Sequence, residues 1–166
     1  MRNSVLAGVA TAVTAASLAL GSASLAAAHA FRPSSGGGIA RGSITVTSFS
    51  SQTVATSPDG TKFQDNTLGQ VYRGGITGTG PLVSAEIVHP DGTATFVGSE
   101  FITCALAGRS GTLLLTDVGT VHGTVVRGTW TIAGGLGGLA GIAGTGSFVA
   151  TLGQGATYVL RFHFAG

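Results

Sequence analysis

Residues 128–152 read GTWTIAGGLGGLAGIAGTGSFVATL, and the fold turns on this stretch. Two apolar, β-branched segments flank a centre in which glycine returns every two to three residues. A helix does not form there, because each interior glycine costs about 0.5–1 kcal/mol relative to alanine. Two strands joined by a glycine-rich corner do fit, since glycine admits positive φ and lets backbones approach closely. That is the construction of a small, tightly coiled β-barrel.

Outward from this corner the punctuation stays glycine and the content stays β. Ser57-Pro58-Asp59-Gly60 and His89-Pro90-Asp91-Gly92 are x-Pro-Asp-Gly turns, with proline presetting φ and glycine taking the left-handed position. Gly108-Arg109-Ser110-Gly111 is a third turn. Strands are expected at 44–49, 69–79, 82–89, 93–106, 112–118, 122–132, 144–152 and 157–164. About eight strands with short connections make an all-β fold, a small antiparallel barrel in meander order. No segment after residue 30 repeats apolar residues at helical spacing.

Residues 1–30 read as a secretory signal peptide: one early charge at Arg2, an uncharged apolar run, then the small-x-small site Ala28-His29-Ala30. An uncleaved anchor is the competing reading, because the run is long enough to span a bilayer. Residues 31–41 read as a flexible leader and 42–166 as one barrel domain. The expected location is therefore extracellular, with no membrane contact once the signal is cleaved. From Arg32 onward seven Lys or Arg are set against six Asp or Glu, all scattered singly. Nucleic-acid binding needs clustered positive charge, so that class is excluded. Cys104 is the only cysteine, so an intramolecular disulfide is impossible. Its neighbours Phe101, Ile102 and Ala105 favour burial.

Alternation sorts the strand faces. Tyr158, Leu160, Phe162 and Phe164 share one face; Phe96, Gly98, Glu100, Ile102 and Cys104 share another. Leu82, Ser84, Glu86 and Val88 form a third set, and His122, Val126, Trp130 and Ile132 a fourth. Glu86 and Glu100 thus sit among apolar neighbours, where an unpaired carboxylate is expensive to bury.

The strings GRSGTLLL, VRGTWTIAGGLGGLAGIAGTGSF and the closing Tyr-Val-Leu-Arg-Phe-His-Phe resemble the allene oxide cyclase-type barrel superfamily. The nearest branch is a bacterial family of unknown function, with dirigent proteins as distant relatives. The resemblance implies a calycin-like antiparallel barrel that often self-associates, so a homo-oligomer is expected, and that can hold an apolar ligand. It carries over no catalytic residue. The dinucleotide-like string Gly135-Leu136-Gly137-Gly138-Leu139-Ala140 lacks the helix N-terminus that receives a pyrophosphate. No cofactor and no metal are called for, since the histidines at 89, 122 and 163 show no ligand spacing.

The candidate acid–base groups are Glu100, Glu86 and His122, because an apolar setting raises a carboxyl pKa towards neutrality. Phe96, Trp130, Tyr158 and Cys104 are the candidate lining of a site for a small apolar molecule. Plain core packing is the competing account of the aromatics. Pairing with Arg73, Arg127 or Arg161 is the competing account of the acids. Gly108, Gly111, Gly135, Gly138, Gly141, Gly144 and Gly146 are the candidate structural glycines of the corners. The expected function is an exported barrel that binds a small apolar ligand in or at its mouth. The alternatives are a cofactor-independent cyclase or isomerase, and a structural or interaction protein with a filled barrel.

Overall fold

The computed structural model describes residues 36–165; the signal peptide reading and most of the leader lie outside them. Eight antiparallel strands follow one another around a closed barrel in chain order. They are β1 Gly37–Thr56, β2 Lys62–Gly74, β3 Ile76–Val88, β4 Ala94–Leu106, β5 Arg109–His122, β6 Val125–Gly137, β7 Ile142–Thr151 and β8 Gly155–Phe164. The ring closes where β1 pairs with β8 from Gly37↔His163 to Ile44↔Ala156. Residues 37–41, expected to be leader, are therefore strand.

The two x-Pro-Asp-Gly turns form as expected, each closed by a backbone bond from glycine N–H to the carbonyl three residues back, at 2.9 Å. Three boundaries differ from the sequence reading. Gly80-Pro81 does not end a strand: Pro81 sits inside β3, at a gap in the β3–β4 ladder where its missing N–H costs no bond. The break falls instead at Gly74-Gly75, where Gly74 has φ 101°. Next, the third turn is Ala107-Gly108, with φ 52° and 75°, so Arg109 already begins β5. Finally, Gly123-Thr124 forms a hairpin that splits the expected strand 122–132, leaving His122 as the last residue of β5.

One end of the barrel is packed shut. Ala40, Ile76, Ile102, Leu106, Leu113, Ile142, Leu160, Phe162 and Phe164 form part of a continuous buried core. The glycine-rich corner 137–141 folds back over this end and sends Leu139, fully buried, into it. At Gly144, φ is 151° and an added Cβ would collide with the Arg161 carbonyl. The corner thus draws β7 against β8 in a way only glycine permits. Towards the other end the inner faces of β3, β4 and β7 become half-buried, at Ser84, Glu86, Phe96 and Phe148.

Candidate functional site

Inside the barrel, β2 to β5 carry the inward polar groups, and the aromatic rings come from β2, β4 and β6 to β8. On β2 the inward positions are Asn66, Gln70 and Tyr72, all buried. Tyr72 and Gln70 stand opposite Gly78 and Gly80 of β3, which present no side chain between β2 and β4. Tyr72 therefore reaches across β3 to Glu100 of β4. Its hydroxyl makes a short hydrogen bond to Glu100 Oε2 and a second, 2.6 Å, to Gln70 Oε1. Trp130 Nε1 donates to Glu100 Oε1 at 3.2 Å.

The Tyr72 hydroxyl owns one proton and lies between two acceptor oxygens, Gln70 Oε1 and Glu100 Oε2, so it serves one of them at a time. Glu100 is 2% exposed, and removal from water pushes its carboxyl up to about 7, against the lowering effect of the Tyr72 bond. Burial first, and the Glu100 charge second, drive the Tyr72 phenol well above its ordinary range.

Asp117 of β5 lies beside this network. It is 1% exposed and neither carboxyl oxygen has a hydrogen-bond partner. Its cross-strand neighbours are Gly98 on one side and Trp130 on the other. A Cβ at position 98 would occupy the place of Asp117 Oδ1, so the glycine makes room for the carboxyl. Desolvation raises Asp117 to about 6. Two carboxyls and a phenol thus share a buried compartment, in which Asp117 disfavours charge on Glu100 and both carboxyls disfavour charge on Tyr72.

The aromatic wall rises from this floor. Trp130 packs on Tyr158 at 5.6 Å and on Phe148 at 5.2 Å, and Phe148 continues to Phe96 at 6.3 Å. Phe96 and Trp130 are therefore linked through a ring that the sequence reading did not single out.

The expected residues separate into distinct groups. Glu100 and Trp130 meet as expected. Tyr158 is buried beside them, but its hydroxyl is taken up by the backbone, accepting from Ile76 N–H at 2.8 Å. Cys104 belongs to the packed core, where burial raises its thiol. Glu86 faces inward nearer the mouth, on the Phe96 rung, and accepts from Asn66 Nδ2 at 2.7 Å. His122 is exposed at the β5–β6 hairpin and does not share the interior, because that hairpin reverses the chain before Trp130. Arg73, Arg127 and Arg161 are exposed on the outer faces of their strands, so alternation keeps them from the inward acids. Among the described residues no three His, Cys, Asp or Glu gather as a metal site.

Tyr72, Gln70 and Asp117 were missed. Asp117 alternates with Leu113 and Leu115, and Tyr72 with Gln70 and Leu68, so period two alone marks them as inward. A depression of about 420 Å³, lined mainly by outward groups such as Asp65, Thr67, Val83 and Val97, touches none of the Glu100 network.

A family profile described as "Protein of unknown function (DUF3224)" matches residues 40–162. A solved structure of a DUF3224-family protein of unknown function from Shewanella oneidensis MR-1 aligns with a TM-score of 0.67 at 20% identity. The alignment covers 79% of this chain and 99% of that one, a likeness of fold. No curated protein matches the chain.

Proposed function

We propose that this chain, a member of the DUF3224 family of proteins of unknown function, is an exported barrel that binds a small, largely apolar molecule at its mouth. One observation carries the reading: Asp117, buried with both carboxyl oxygens unpartnered at the foot of an aromatic wall. A buried polar group without a partner costs on the order of 1–3 kcal/mol, and a ligand donor reaching it removes that cost. Phe96 and Phe148 offer flat apolar contact above it, with Glu86 next to Phe96 on the adjacent strand and hydrogen-bonded to Asn66. The fitting ligand has a planar or ring-shaped apolar body and at least one N–H or O–H group. The packed core leaves the mouth, and not the deep interior, as the place for it.

The test is native mass spectrometry of protein purified without denaturation from its own culture medium. Retained small-molecule mass in the wild type, lost in Asp117→Leu while Glu100→Gln keeps it, is the expected result. No bound mass in the wild type, and no thermal shift with any aromatic alcohol or phenol in a panel, overturns the reading.

A cyclase or isomerase reading rests on a different observation, the Tyr72–Glu100 pair. A carboxyl near pH 7 beside a phenol is placed to pass a proton to a reactive substrate. The kinship with allene oxide cyclase-type barrels that the sequence suggests favours it. Substrate turnover that Glu100→Gln abolishes without loss of binding separates this from binding alone.

A further inference from the structure

β1 carries a second feature, unrelated to the interior. Its pairing with β8 stops at Ile44, whereas its pairing with β2 runs on to Thr56↔Lys62. Among the described residues no strand takes the other edge of β1 from Thr45 to Thr56, and every residue of that stretch is exposed. At about 3.3 Å per residue this is an open edge about 40 Å long. Natural sheets blunt such edges with charge, proline or very short strands. From Gly42 to Ser57 there is neither a charge nor a proline, and Val46, Phe49 and Val54 are 42%, 64% and 55% exposed. Only the irregularities at Val46/Ser48 and Thr53/Ala55 interrupt it, and they leave a regular edge between them.

We propose that this edge pairs antiparallel with the same edge of a second copy, about a two-fold axis at Ser50. The segment TVTSFSSQTVAT is close to self-complementary: a Thr-Val pair stands near each end, and the middle holds Ser48, Ser50 and Ser51 with Phe49 and Gln52 between and beside them. Antiparallel pairing brings the Val46 end of one copy to the Val54 end of the other and lets Ser and Thr hydroxyls meet across the seam. The charges just beyond the edge are complementary. Arg41 precedes it and Asp59 follows it, so the same arrangement carries Arg41 of each copy towards Asp59 of the other. An isologous contact of this kind satisfies both edges at once and closes as a dimer, which a foreign strand does not.

The test is sedimentation velocity on the full chain, purified from its own host, with Ser50→Lys, Ser51→Lys and, as a control on the outer wall of β6, Thr131→Lys. The wild type and Thr131→Lys sediment at twice the protomer mass. Ser50→Lys and Ser51→Lys fall to the protomer mass with unchanged far-UV circular dichroism. Independently, Ser50→Cys, on the axis, forms an intermolecular disulfide under mild oxidation, while the buried Cys104 of the wild type forms none. A wild type at protomer mass overturns the proposal, even if β1 amides are protected from exchange, since another segment then covers the edge. A doubled mass that persists in both lysine variants, with no cross-link through position 50, also overturns it.

Discussion

Up to Ile44, β1 lies inside a closed ring; beyond Ile44 the same strand is one side of a ribbon with β2. The first half, GGIARGSI, holds three glycines and Arg41, whereas the second, TVTSFSSQTVAT, is uncharged and mostly Ser and Thr, yet both carry large apolar side chains. Burial does change. Ala40 and Ile44 are 3% and 4% exposed, whereas Phe49, larger and more apolar, is 64% exposed. Apolar composition therefore does not decide which half is core. The number of strands that close around a position decides it.

That contrast is most sharply tested by truncating a large side chain in each region. Trp130→Ala in the closed part, which empties space beside Glu100, Phe148 and Tyr158, is expected to cost about 3–5 kcal/mol in chemical denaturation. Phe49→Ala on the ribbon is expected to stay within about 0.5 kcal/mol. Equal losses at the two positions would mean that the ribbon is as tightly packed as the ring.

The next effect depends on pH. Glu100 and Asp117 have folded-state pKa values of about 7 and about 6, above their ordinary values, so between pH 4 and 7 the folded protein holds more protons than the unfolded one. Stability is then greatest below the unfolded pKa and is lost as pH rises through the folded values. From Glu100 alone the loss is on the order of 3 kcal/mol, at about 1.4 kcal/mol for each unit of pKa difference. Thermal midpoints measured from pH 4 to 8 should fall for the wild type and fall much less for Glu100→Gln, whose amide can serve both Trp130 and Tyr72. Matching slopes for the two proteins would rule out a neutral Glu100.

A smaller effect is expected at the corner that closes the packed end. Gly144→Val should destabilise by about 2 kcal/mol or more, because φ is positive and the added carbon meets the Arg161 carbonyl. Thr47→Val on the open ribbon should be nearly neutral in the same denaturant titration. The smallest effect has the opposite sign. Ala107 holds φ 52° in the β4–β5 turn, so Ala107→Gly should stabilise by about 0.5–1 kcal/mol, read as a raised denaturation midpoint.

The barrel itself is legible in the sequence because period-two alternation survives wherever one face is buried. The inward sets on β3, β4 and β8 follow it residue by residue. Ends of strands are less legible, since the same glycine signal marks both a turn and a close approach. Gly80-Pro81 looks like a stop and is not one, because the ladder has a gap where proline falls; Gly123 looks like an interior glycine and turns the chain. That one hairpin is why His122 was placed with Trp130. Of the site, Glu100 and Trp130 could be found from their apolar neighbours. Asp117 and Tyr72 could be found only by carrying the alternation through polar residues as well, and the Phe148 bridge between Phe96 and Trp130 is a contact across strands that no local pattern encodes.

Leu139 closes one end of the barrel from within the corner that first identified the fold. The barrel is thus a cup, with a packed base and a half-buried rim. The half-buried rings of Phe96 and Phe148 stand on the rim side of the buried acids, and the fully buried core stands on the base side.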